Sequence, residues 1–208
     1  MDAATSTREK LLGAAVELLG SDGVQAVTHR NVEQAAGVAR GSTRYHFGSR
    51  EDLLAAVLEH MASVEMQVLH RAATLTTAAT IEPGMMDDAT QTRAMTAMTS
   101  EFLANPSRAR ARFELFLYAS RRPELTEAVF AWRQAFVDLS AAHLAAVGAP
   151  HPEAAARMVI AAMDGMILHA LTGPHDDYAT FGPAWMATLA RVGAVFDGTD
   201  GASSRSGS

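Results

Sequence analysis

The chain has 208 residues and a mass of 22.0 kDa, of which 49% are hydrophobic and 19% charged. That is enough apolar material for the core of one ordinary domain or two small ones, and it excludes a disordered chain. Net charge is −6 with a pI of about 5.7, so bulk basicity cannot be what draws any nucleic acid, and the absence of cysteine excludes disulfides, thiolate catalysis and cysteine-ligated metals and suits a cytoplasmic protein.

The 42 alanines favour helix before any periodicity is considered. Ser6-Thr7-Arg8-Glu9 has the form of a capping box. A helical stripe of Leu11, Leu12, Ala15, Val16, Leu18 and Leu19 follows, and Gly20 with Asp22-Gly23 is expected to end it. Thr28 caps a short second helix, with Val27 and Val32 as a hydrophobic staple and Gly37 as its stop. A third short segment covers residues 39–46 and breaks at Phe47-Gly48. Ser49 caps a fourth helix with Glu51 and Asp52 in its first turn, and its apolar stripe runs to about residue 73, on the order of 35 Å. Residues 74–90, with Pro83-Gly84, are expected to form a linker or poorly ordered loop. Further helices are expected over residues 91–104, 107–121, 123–147, 152–171 and 181–196, and a frayed tail over 198–208. No strand alternation and no fixed-period repeat appears. No uninterrupted apolar run approaches the roughly 20 residues of a membrane helix, and the start of the chain lacks the pattern of a signal peptide. The expectation is an all-α protein without a membrane role.

The charge distribution is uneven. Residues 28–50 hold Arg30, Arg40, Arg44 and Arg50 against Glu33 alone. The same window carries a helix-turn-helix pattern: a small-residue end to the second helix (Ala35, Ala36, Gly37), then Arg40, Gly41, Ser42, Thr43 and Arg44 at the start of the third. Small and polar residues there suit entry into a major groove. Thr28 and Ser49 begin helices whose N–H groups could meet phosphates.

From Thr28 through Ala36-Gly37-Val38 to Tyr45-His46-Phe47-Gly48-Ser49-Arg50-Glu51-Asp52-Leu53, the sequence resembles the DNA-binding domain of the TetR family of bacterial transcriptional regulators. The resemblance covers about residues 7–60 and is most specific from Gly41 to Leu53. Three positions depart from the common pattern: Ala39 stands where a capping serine is frequent, Glu33 where alanine is frequent, and Arg44 where tyrosine is frequent. The third helix is therefore expected to start without a side-chain cap.

The resemblance implies a helix-turn-helix domain over residues 1–50, a connecting helix from about 50, and a helical effector-binding and dimerisation domain over 51–197. It implies base contacts from Arg40, Ser42 and Arg44, and phosphate contacts from Arg30, Tyr45, His46 and Arg50. Gly41 would let backbone approach DNA closely. Arginine is the commonest reader of guanine, so a G·C pair per half-site is expected. Thr43 is expected to pack inward, and Phe47 and Leu53 to be core. The resemblance further implies a homodimer through residues 152–171 and 181–196, a palindromic operator, and a ligand-responsive repressor.

The C-terminal half holds large apolar side chains suited to an apolar or amphipathic effector: Phe102, Phe113, Phe116, Leu117, Trp132, Phe136, Met163 and Met166. Asp164 and His169 sit within the apolar stretch 158–171 and could orient an effector, pair in the core or meet a second subunit. The eight histidines show no H-x-x-x-H spacing, and no G-x-S-x-G or phosphate loop occurs. No metal, cofactor or enzymatic activity is expected. The competing reading is a helical carrier of lipids or small molecules in which residues 7–60 merely pack; loss of binding on changing Arg40 and Arg44 separates the two.

Overall fold

A computed structural model describes residues 6–78, 104–146 and 151–173, with side chains described only to residue 71 in the first segment. Helix α1 spans Thr7–Asp22, and its capping box forms as expected. The Ser6 N–H donates to Glu9 Oε2 at 2.8 Å, and the Glu9 N–H donates to Ser6 Oγ at 3.2 Å. Gly20 does not end this helix. It lies inside it, fully against α5, where a Cβ would collide with the Ser107 carbonyl oxygen. The glycine signals a close helix crossing, and Gly23, with φ +78, makes the stop.

A single 3₁₀ turn, Val24–Ala26, leads to α2, His29–Ala36. Thr28 Oγ1 accepts the Asn31 N–H at 3.2 Å, and Gly37 closes the helix at φ +64. Helix α3 spans Ser42–Phe47, starting three residues later than the expected residue 39 because Gly41 is left-handed at φ +89. Thr43, Phe47 and Leu53 are buried, as expected. Helix α4 runs Arg50–Ala78, 29 residues and on the order of 43 Å. Its last turn occupies part of the stretch expected to be a linker.

Helices α5 (Pro106–Ala119), α6 (Pro123–Ala146) and α7 (Pro152–Thr172) complete the described chain. Each begins with proline in its first turn, where the missing N–H costs nothing. Every regular element among the described residues is helical. One continuous apolar core runs from Leu11 and Leu19 of α1 through Leu53, Leu58 and Met61 of α4 to Trp132 and Phe136 of α6 and Ile160 of α7. A smaller cluster of Ala109, Met163 and Ile167, flanked by Phe113, Met166 and Leu171, joins α5 to α7.

Helix α7 is long and apolar enough to cross a membrane by length and composition, with a mean hydropathy of 1.4 over its most apolar window. Its inner face, Ala156, Ile160, Met163, Ile167 and Ala170, fills the core. Its outer face of Ala154, Met158, Ala161, Gly165 and Leu168 is exposed in the single chain. The helix expected over 91–104 lies outside the described residues except for residue 104, which is in a turn, and the helix expected over 181–196, residue Phe102 and the tail from 198 lie outside them altogether.

Candidate DNA interface and ligand-domain core

Helix α3 has one inward and one outward face. Thr43 and Phe47, four residues apart, turn inward, with Thr43 fully buried and Phe47 9% exposed. Arg44 and Tyr45 point out, Tyr45 being 84% exposed. Arg40 in the turn and Arg30 on α2 are also exposed, while Ser42 and His46 are half-buried. The Tyr45 and His46 rings meet edge to face at 5.1 Å, a favoured aromatic geometry.

Arg50, expected on a phosphate, turns inward. Its Nε donates to the Val27 carbonyl at 2.8 Å, Nη2 to the Val24 carbonyl at 2.6 Å and Nη1 to the Tyr118 hydroxyl at 3.1 Å. Arg122 stacks on the same Tyr118 ring at 3.5 Å. Arg50 thus ties the turn before α2 to the end of α5. In sequence it looks like surface charge beside Glu51 and Asp52, because a guanidinium shows nothing of its partners until the fold brings them.

The start of α4 is also less open to phosphate than expected. Asp52 Oδ2 accepts from the Ser49 N–H at 3.1 Å and its hydroxyl at 2.6 Å. These bonds hold the Asp52 carboxyl below its ordinary value, so a carboxylate already faces that helix end. The first turn of α2 has no acidic residue and carries Arg30.

The expected effector residues divide. Phe116, Trp132 and Phe136 gather round Arg112. Its guanidinium carbon lies 5.1, 5.6 and 5.7 Å from their ring centroids. Arg112 is 3% exposed, with Nη1 3.0 Å from Glu65 Oε2 and Nη2 2.9 Å from Asp164 Oδ1. Arg133 reaches the other Asp164 oxygen at 3.5 Å. Asp164 is therefore a core ion-pair partner. Burial pushes the Glu65 carboxyl up to about 7, against the pull of Arg112 and Arg108 and with the push of Asp164. A cavity of about 10 Å³, the room of a single water, opens among Leu69, Arg112, Phe136, Ser140, Met163 and Asp164. Trp132, which does not line this cavity, has a buried Nε1 without a hydrogen-bond partner.

Phe113 and Met166 belong instead to the α5–α7 cluster, Leu117 is 67% exposed, and His169 lies on the exposed side of α7. A signal for Glu65 did exist. Met61, Glu65 and Leu69 recur at i, i+4 and i+8, so one charged residue stands in a buried stripe. A buried acid demands a buried cation, and Arg112 is that cation. No group of three metal-ligating side chains occurs among the described residues.

Residues 11–57 match the family model described as "Bacterial regulatory proteins, tetR family". Residues 86–196, more than half of the chain, match the one described as "Tetracyclin repressor-like, C-terminal domain". The chain belongs to the TetR family. Among solved structures similar to this TetR-family chain, the multidrug binding protein EbrR complexed with imidazole is 26% identical, with a TM-score of 0.62, covering 88% of this chain and 94% of its own. A TetR-family member from Streptomyces coelicolor A3 is also 26% identical, with a TM-score of 0.66 and coverage of 88% and 98%. A TetR transcriptional regulator from Legionella pneumophila, 17% identical, shares the fold with a TM-score of 0.72 and coverage of 90% and 98%. No curated protein matches the sequence. As a TetR-family protein, the chain is a DNA-binding transcriptional regulator with an N-terminal helix-turn-helix.

Proposed function

We propose that the protein is a ligand-responsive repressor that binds a palindromic operator as a homodimer. The observation that carries this reading is the outward face of α3, with Arg44 and Tyr45 exposed while Thr43 and Phe47 fix the helix from behind. Arg40, Ser42 and Arg44 contact base edges. Arg30, Tyr45 and His46 contact phosphates and set the register.

Dimerisation uses the outer face of α7 together with residues 181–196. Support comes from the stripe Ala154, Met158, Ala161, Gly165 and Leu168, whose small members allow close crossing of a second copy. Two α3 helices then lie one DNA turn apart, about 34–36 Å. Replacing Gly165 by arginine, where a Cβ meets nothing within 4 Å inside the chain, is expected to leave the fold intact and yield monomers in sedimentation.

The effector is a small apolar or amphipathic molecule that enters among Phe116, Trp132, Phe136 and Met163. EbrR has been crystallised with imidazole, ethidium, malachite green and proflavin, compounds with flat rings that aromatic walls can hold. A one-water cavity is too small for any of them, so binding must part the helices round Arg112. Because Arg112 grips Glu65 on α4, that movement shifts the helix whose first residue, Arg50, anchors the helix-turn-helix. Operator and effector then weaken each other's binding by the same factor.

Selection of bound duplexes from a random pool tests the reading. Sequences with two-fold symmetry and a G·C pair in each half are expected. Arg44→Ala should cost about 1–3 kcal/mol and relax preference at one base pair. Recovery of no common sequence, at low salt and with dimeric protein, would defeat it.

A further inference from the structure

We infer that Glu33 is a positioning residue for DNA sequence recognition: its carboxylate, reaching across from α2, sets how α3 is presented. Helix α3 has only six residues, Ser42–Phe47, and Ala39 before it cannot supply a capping oxygen. The missing cap comes from elsewhere. Glu33 is 7% exposed, and its Oε1 accepts the Gly41 N–H at 2.9 Å and the Thr43 N–H at 3.0 Å. These are two of the donors that a helix start leaves unsatisfied. A carboxylate suits that end of a helix, and bonds to an ionised acceptor are the stronger kind.

The arrangement explains why one acid stands in an otherwise basic window. It also links the two departures from the family pattern at Glu33 and Ala39: the cap absent from the turn is provided by the neighbouring helix. The buried carboxylate is balanced by backbone dipoles, which leaves Arg40 and Arg44 unpaired with it and turned outward. Its bonds fall on Gly41, next to Arg40, and on Thr43, next to Arg44. A tilt of this end would move both guanidinium groups relative to the base edges they reach. The C-terminal end of α3 is held separately by buried Phe47. Glu33 therefore governs the angle of α3 rather than its existence.

The inference rests on the reading of α3 as the base-contacting helix, and the test separates the two. Full-length wild-type protein, Glu33→Ala, Glu33→Gln and Arg44→Ala are compared on the selected operator and on a scrambled duplex of equal length. All are measured at one salt concentration and below each protein's thermal transition. Glu33→Ala is expected to lower operator affinity about tenfold or more while leaving the scrambled duplex unchanged, since two charge-assisted bonds are lost without any phosphate contact. Glu33→Gln keeps one oxygen acceptor and is expected to stay within about threefold of wild type. Amide exchange at Gly41 and Thr43 should quicken in the alanine variant. Retained operator preference in folded Glu33→Ala, with Arg44→Ala losing it, overturns the role of Glu33 alone. Retained preference in both overturns the reading of α3 and this inference with it. Should Glu33→Ala fail to fold, Glu33→Met, which fills the same space without an oxygen acceptor, decides: exchange at Gly41 and Thr43 that quickens together with a fall in operator preference supports the role, and unchanged preference overturns it.

Discussion

Gly20→Ala is expected to destabilise the protein by about 3 kcal/mol, at the upper end of overpacking costs. The sign is the reverse of what helix chemistry alone dictates. Within a helix, glycine to alanine ordinarily gains up to about 1 kcal/mol. At Gly20 the new Cβ would collide with the Ser107 carbonyl oxygen and stand 2.6 Å from its carbon. Both belong to the backbone at the start of α5, so no rotamer change relieves the contact. Either α1 or α5 must move, and the core that joins them opens. Gly13 supplies the comparison, because it lies on the exposed side of the same helix and a Cβ there meets nothing within 4 Å. Gly13→Ala is expected to stabilise by several tenths to about 1 kcal/mol. Urea unfolding of both variants measures the difference; two variants of equal stability would contradict the packing of α1 on α5.

Arg112→Met is expected to cost about 3–5 kcal/mol at alkaline pH and much less in mild acid. The substitution leaves the Glu65 carboxylate buried without its cation, while Asp164 keeps Arg133. In the wild type, Glu65 holds its proton up to about pH 7, against an ordinary value of 4.5. The native state thus binds more protons than the unfolded chain between those values. Glu65's contribution to stability is full below about 4.5 and is lost as pH rises through about 7. The groups facing it are Arg112 and Arg108, which lower its value, and Asp164, which raises it. Without Arg112 the value rises further, so the loss extends to higher pH. The deficit of the variant relative to wild type should therefore stay level from about pH 5 to pH 7, where both native states hold the Glu65 proton, and widen from there to pH 9, and Glu65→Gln in the same background should remove the widening. Thermal unfolding across that range provides the check, and a deficit independent of pH would count against an ionised Glu65 at the heart of the domain.

Much of the fold could be read from local chemistry. Capping residues, helix-starting prolines and glycine stops placed α2, α6 and α7 closely, because each of those signals acts within a turn or two of itself. The outward arginines of the helix-turn-helix were legible for the same reason: small and apolar neighbours left only one face for them. What escaped the sequence was every interaction made between helices. Gly20 looked like a stop because a glycine needed for close crossing has the same letter as one needed for a turn. Ala39 correctly announced a missing cap, but nothing near it in sequence pointed to Glu33 as its replacement. Arg50 and Arg112 were hidden by their charge, which is an argument for surface until a distant carbonyl, ring or carboxylate answers it. The aromatic residues of the ligand domain were found, and the cation they enclose was not.

The grip of Arg50 on Val24, Val27 and Tyr118, with α1 laid over Ser107, bears on how this protein can be taken apart. A fragment cut near residue 50, where the sequence pattern changes, would leave Leu19 and Gly20 facing solvent and a guanidinium stripped of its phenol. Chimaeras that exchange the reading head between relatives should therefore be joined so that α1, the turn at Val24 and the end of α5 come from one parent. A splice at the obvious boundary would hand over the letters of the head without the wall it leans on.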